Sequence, residues 1–171
     1  MRAYDIQTHH DLTHHLFLHG MVTEESCVNL YADIVRGPVP PAKCFTLHIN
    51  SNGGECDAAF ALIHAIFQSE YCVTTVGAGT VGSAALDIFV SGHVRKMAES
   101  TTSLVHSATF GNASSRAKKM LKKLEIDRDF KLWRACSNIK TRDEYDAIFR
   151  RHDTWVSASY LFELGAVDYL T

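Results

Sequence analysis

Proline is scarce in this chain, and its three prolines, Pro38, Pro40 and Pro41, all fall in one short loop. Elsewhere nothing breaks a helix or bars a central strand in the way proline does. The five cysteines (Cys27, Cys44, Cys56, Cys72 and Cys136) are odd in number and scattered, with no Cys-x-x-Cys. They read as reduced, mostly buried thiols of a cytosolic protein, not as a disulfide frame or a metal site. No apolar run approaches the roughly 18 residues of a membrane span. The stretch from Met1 to His10 lacks the apolar core of a secretory signal. A net charge of −2 provides no global basic field, so no nucleic-acid partner is expected. There is no internal repeat, linker or low-complexity stretch. What is there is 171 residues, 46% of them hydrophobic, enough for one domain with a real core.

The pattern alternates strands with helices, which predicts an α/β fold with parallel pairing. Residues 1–15 read as a loosely ordered segment, and Leu16 to Gly20 as a first strand. Thr23 is placed to cap a helix with Glu24 and Glu25 in its first turn, an apolar stripe at Cys27, Leu30, Tyr31 and Ile34, and Gly37 as its stop. Phe45, Leu47 and Ile49 alternate as a strand that runs into Asn50-Ser-Asn-Gly-Gly54. Residues 57–68 are apolar nearly all round and read as a buried helix, which makes His64 a core histidine. Cys72 to Val76 reads as a strand, and Val94 to Met97 and Ser103 to Val105 as two short ones. A long helix is expected over 114–138, with one apolar stripe at Ala117, Met120, Leu121 and Leu124 and an offset one at Ile126, Phe130 and Trp133. That offset implies a bend or a change of packing partner. Thr141 and Glu144 have capping-box spacing, Ser157 can cap a last short helix ending at Gly165, and Val167 to Leu170 closes the chain.

Chemistry concentrates at four places. Ser83 falls where the small residues of Gly79-Thr-Val-Gly-Ser-Ala-Ala break into an apolar helical run. The commonest use of a serine there is as an N-cap. The same place also suits a nucleophile, because unpaired N–H groups and the helix dipole favour a developing negative charge. His106 ends the strand Leu104-Val-His. Asp153 lies just before the last capped helix. Gly53-Gly54 ends another strand. A serine hydroxyl needs an adjacent base, that base needs an acceptor on its other nitrogen, and the oxyanion needs converging N–H donors that glycine lets approach. The Gly-x-Ser-x-Gly elbow is absent, since Val81 stands two residues before Ser83.

Together and in this order these motifs resemble ClpP, the proteolytic subunit of the Clp proteases, over nearly the whole chain from about Leu16 to Leu170. Ile49-Asn-Ser-Asn-Gly-Gly54 is similar to the family's Ile-Asn-Ser-Pro-Gly-Gly. Gly79 to Ala85 is similar to the nucleophile turn of phage-type members. Leu104-Val-His106 is similar to Met-Ile-His, His152-Asp-Thr-Trp-Val-Ser-Ala158 to Arg-Asp-Arg-Phe-Leu-Ser-Ala, and Glu163-Leu-Gly-Ala-Val-Asp168 to the closing Tyr-Gly-Leu-Ile-Asp. The resemblance implies a repeated ββα spiral of the ClpP/crotonase type with a protruding long handle helix. It implies Ser83 as nucleophile, His106 as base, Asp153 as its orienter, and the amides of Gly54 and Ala84 as oxyanion hole, with no metal or cofactor. It further implies an ATP-independent serine endopeptidase in the cytoplasm, assembled as a heptameric ring or a double ring, with an AAA+ unfoldase as partner for folded proteins. Alternatives are a catalytically inactive ring subunit, a phage capsid-maturation protease, or a crotonase-type acyl-CoA enzyme, since that family shares the fold.

The chain departs from the family pattern at four points. Asn52 replaces the usual proline. The interval from Val76 to Gly92 is about two residues longer than in bacterial members. The glycine-rich stretch after His106 is thin. His152 replaces an arginine, which suggests a different or pH-sensitive ring contact. His9, His10, His14, His15 and His19 read as solvated side chains without the carboxylate partners of a metal site, His15 and His19 being denied a common helix face by the strand pattern. Lys118, Lys119, Lys122 and Lys123 form a basic face, solvated or set against an acidic partner. Asp87, one turn into the apolar helix after Ser83, is open between a structural hydrogen-bond partner and a specificity residue.

Overall fold

The computed structural model describes residues 12–106, 115–149 and 153–171. The first strand, β1 (Thr13–Val22), pairs in parallel with β2 (Cys44–Gly54), which pairs with β3 (Cys72–Val81); β4 (Val94–Met97) and β7 (Tyr169–Leu170) continue the sheet in the order β1-β2-β3-β4-β7. The far end of β3 leaves this sheet and touches β5 (Thr102–Val105) at Thr80, and β5 pairs antiparallel with β6 (Thr154–Ser157). The helices are α1 (Glu24–Arg36), α2 (Cys56–Gln68), α3 (Ala84–Val90), α4 (Ser115–Cys136), α5 (Arg142–Phe149) and α6 (Ala158–Glu163).

The strand pattern decides which face is covered. Leu16 and Leu18 of β1, Phe45, Leu47 and Ile49 of β2, and Val73 of β3 alternate inward and are buried. They meet Leu30 and Ile34 of α1, Leu62 and Ile66 of α2, and Ile88 and Phe89 of α3 in one core. The opposite face carries His15, Phe17 and His19, so β1 does set these two histidines on one side, as a period of two requires. His15 Nδ1 lies 2.9 Å from His48 Nε2, and the His48 ring stacks on Phe17 at 5.1 Å. Burial, with His15 and His19 beside it, pushes the His48 pKa down. Among the described residues no group of three or more His, Cys, Asp or Glu side chains is placed to hold a metal, and no helix is long and apolar enough to cross a membrane.

The caps follow the sequence. Thr23 and Ser26 close a reciprocal box at the head of α1, and the Gly37 N–H donates to the Asp33 carbonyl at its end. Thr141 and Glu144 do the same for α5, and Ser157 Oγ accepts from the Tyr160 N–H at α6. The C-terminus is tied down by Asp168, whose Oδ1 accepts from Arg95 Nη2 at 2.6 Å while its Oδ2 accepts from Arg95 Nε and N–H.

Four readings of the pattern need correction. Strand β1 starts at Thr13, before the expected Leu16, while residues 1–11 lie outside the described residues. Strands β2 and β3 run five residues past Ile49 and Val76, because the polar and glycine positions there keep parallel partners: Met21 faces Gly53, and Ser51 faces Val81. Helix α2 is not buried all round: Ala61, His64 and Phe67 line an exposed side, so His64 is a surface histidine. Of the cysteines only Cys27 is fully buried. Along α4 the two apolar stripes part company. Met120, Leu121 and Leu124 are exposed, whereas Ile126, Leu132 and Trp133 are buried against the body.

Candidate active site

Ser83 is a positive-φ residue, φ 52° and ψ −131°, the one non-glycine with positive φ among the described residues. Such a backbone costs about 1–3 kcal/mol and persists only where its surroundings hold it. Here they do. The Ser83 N–H donates to the Leu104 carbonyl at 2.8 Å, and the Gly82 N–H donates to the Ser51 carbonyl at 2.9 Å. The Leu86 N–H donates back to the Ser83 carbonyl, starting α3. The turn is thus clamped between β2 and β5. It is also packed against the Gly53-Gly54 turn. A Cβ on Gly53 would sit 2.7 Å from the Ser83 Cβ and 3.0 Å from the Ala84 nitrogen, and one on Gly54 would sit 2.1 Å from the Val22 carbonyl oxygen. Both glycines have positive φ, so their lack of a side chain is required twice over.

The Ser83 hydroxyl makes no capping bond to α3. It lies 2.7 Å from His106 Nε2 instead, so the N-cap reading of this serine fails and the hydroxyl is left to the imidazole. His106 hangs from the end of β5, where Val105 pairs with Thr154 of β6, the residue just beyond Asp153. Asp153 Oδ1 is 3.6 Å from His106 Nδ1, an ion-pair distance rather than a hydrogen bond, and its side chain is 77% exposed. Ala84 opens α3, where a first-turn N–H has no intrahelical acceptor. The fold thus brings Ser83, His106 and Asp153 together, with Ala84 next in the chain and Gly53 packed against both Ser83 and Ala84, while Gly54 faces the backbone of Val22.

A pocket opens beside this group, lined by Ser83, His106, Asp87, Asp129, Trp133 and Phe149 among others. Asp87 Oδ1 accepts from Trp133 Nε1 at 2.9 Å. Burial pushes the Asp87 carboxyl up to about 7, with Glu125 adding to the effect and the Trp133 bond and Arg128 opposing it. Asp129 is pushed up to about 8 by burial and by Asp87 and Glu125, against Arg128 and a bond from Tyr145. Burial and the same carboxylates hold the Cys56 thiol and the Tyr145 phenol above their ordinary range, so both stay neutral. Asp87 therefore is a hydrogen-bond partner and also a pocket residue. Asp129, Glu125 and Tyr145 went unremarked in the sequence. Their signal was the spacing of Glu125, Asp129 and Trp133 at i, i+4 and i+8, one face of a helix. His152, the glycine-thin stretch at 110–114, and His9 and His10 lie outside the described residues.

Among curated proteins none matches the chain. The family model described as Clp protease matches residues 1–171, the whole length. With a strained serine at a helix start, a histidine on its hydroxyl and a glycine turn behind it, the chain belongs to the Clp protease family.

Proposed function

We propose that this chain is the peptidase subunit of a ring-forming serine protease, cleaving peptide bonds by acyl-enzyme chemistry at Ser83. The observation that carries this is the 2.7 Å approach of Ser83 Oγ to His106 Nε2 with the hydroxyl free of any capping bond. In the proposed reaction His106 takes the hydroxyl proton as the oxygen attacks the carbonyl carbon, then returns it to the leaving amine; water repeats the sequence on the ester. Asp153 orients the imidazole and stabilises its cation. The N–H groups of Gly54 and Ala84 receive the oxyanion, with the start of α3 adding its dipole.

Assembly into a heptameric or double ring, with α4 as the handle, rests on the resemblance to the family. It is supported by apolar side chains left uncovered in one chain: Phe17 and Met21 on the open sheet face, and Met120, Leu121 and Leu124 on α4. An AAA+ unfoldase as partner for folded substrates, and a cytoplasmic site of action, rest on the resemblance alone. The reading as an inert ring subunit draws on one observation, the long and exposed approach of Asp153 to His106. A fluorophosphonate probe decides between them, applied to the assembled particle whose native mass gives the ring size. Wild type should label, and Ser83→Ala should lose labelling altogether. An assembled wild type that does not label overturns the peptidase reading.

A further inference from the structure

The pocket beside Ser83 gathers more carboxyl groups than the described residues offer cations to pair with them. Asp87 comes to it from α3 and Asp129 from α4, with Glu125 one turn before Asp129. Glu125 is only 6% exposed, and its Oε2 has no hydrogen-bond partner among the described residues. The same holds for Asp129 Oδ1. Among the described residues the cation that acts on these three carboxyl groups is Arg128. It is shared: Nη2 lies 3.6 Å from Glu125 Oε1, Nη1 lies 3.1 Å from the exposed Asp57, and the guanidinium sits 3.8 Å over the Phe60 ring. The neutral neighbours Cys56, Trp133 and Tyr145 contribute no positive charge. Buried carboxylates without a matching cation are costly, and a fold keeps them ionised only where a cation arrives from elsewhere.

The pocket's position says where that cation comes from. Its wall includes the catalytic serine and histidine together with Ala84 at the proposed oxyanion site. A side chain carried on the residue whose carbonyl Ser83 attacks is thereby placed at its mouth. Leu104, Trp133 and Phe149 give apolar lining for a methylene stem. The free space, about 20 Å³, matches one water-sized group; an ammonium is that size and a guanidinium is larger.

We propose that this is the primary side-chain pocket of the enzyme and that Asp87 and Asp129 make it select a cationic residue, lysine before arginine, on the acyl side of the cut. The selectivity rests on the peptidase reading, because the pocket has meaning as a subsite only if Ser83 is the nucleophile. With lysine bound, its ammonium replaces the protons that Asp87 and Asp129 otherwise hold. With a neutral isostere the two carboxyls gain no cation and no new hydrogen bond, and the weaker binding follows from the groups left unpaired.

The test uses two peptidyl diphenyl phosphonates that differ only in a lysine or a norleucine side chain, applied to the full-length assembled protein at pH 8 beside a plain fluorophosphonate. The expected result is Ser83 labelling faster with the lysine probe by about tenfold or more, as for a buried polar group left unpaired. That ratio should fall toward one in Asp87→Asn and Asp129→Asn, and a ratio is insensitive to the fraction of variant that folds. Equal or faster labelling by norleucine overturns the proposal, as does a lysine preference that survives in both variants. Wild type that fails with the plain fluorophosphonate overturns the peptidase reading, and this pocket assignment with it.

Discussion

The two walls of the cleft at Ser83 are built in opposite ways. One wall is backbone: the Gly53-Gly54 turn, the Gly82-Ser83 turn and the end of β5, joined by N–H to carbonyl bonds that neither pH nor salt alters in the working range. The other is side chain: Asp87, Asp129, Glu125 and Tyr145 from three helices, with Asp87 and Asp129 held protonated by burial and with Glu125 Oε2 and Asp129 Oδ1 lacking a hydrogen-bond partner among the described residues. Placing Ser83 by main-chain geometry makes its position almost independent of solution conditions. Placing the pocket floor by carboxylates makes its charge a variable that a ligand or a proton can set. Position and selectivity are thereby separable within a few ångströms.

The most severe way to break this contrast is to disturb the backbone wall. Gly53→Ala sets a Cβ 2.6 Å from the Gly82 carbonyl oxygen on a backbone with φ 98°. It should cost about 3 kcal/mol or more, read as a drop in the thermal midpoint, and should abolish serine labelling in whatever folds. A variant that labels normally would show that the glycine turn does not hold Ser83.

The side-chain wall should respond to pH instead. In the unfolded chain a carboxyl titrates near its ordinary value, whereas Asp87 and Asp129 hold their protons up to about 7 and about 8 when folded. A raised folded value means that this contribution to stability is complete below about pH 4 and is lost as pH rises through 7 and 8. His48 and His93, both pushed down by burial, pull the other way below about pH 6.5. The readout is therefore the difference between Asp129→Asn and wild type in denaturant midpoint, which should grow in favour of the variant between pH 5 and 9. A constant difference would mean that Asp129 is ionised throughout.

The smallest effect concerns the junction of the two styles. Asp153 is 77% exposed and 3.6 Å from His106 Nδ1, so Asp153→Asn should slow Ser83 labelling only about tenfold, near 1.4 kcal/mol. A loss as deep as that in Ser83→Ala would show that the carboxylate closes onto the imidazole in the working enzyme.

How much of this was legible in the sequence follows the same division. Ser83, His106 and the glycine turn are marked by local breaks in pattern, because backbone geometry needs small residues and leaves a trace in the order of the chain. Helix starts at Thr23, Thr141 and Ser157 were visible for the same reason. The extensions of β2 and β3 were not, since Asn50 to Gly54 and Gly77 to Gly79 carry turn residues whose strand state is imposed by partners far along the chain. The short strand β6 was missed because Thr154 to Ser157 is mostly exposed and has no inward stripe. His64 was misread because α2 uses apolar residues on a side that the single chain leaves open. The acidic floor escaped notice because Glu125 and Asp129 sit in a helix crowded with charges, where burial is decided by what packs on it and not by composition.

Strand β3 has a consequence for tolerance. It pairs with β2 as far as Ser51 opposite Val81, and with β5 at Thr80 opposite Thr102, so one strand indexes both the serine turn and the strand that ends in His106. Strands slip only by whole residues, about 3.3 Å at a time, and each single step turns every side chain to the other face. Pairing errors between Ser83 and His106 therefore come in steps, and the smallest of them, a slip of one residue, turns the core outward and betrays itself in folding.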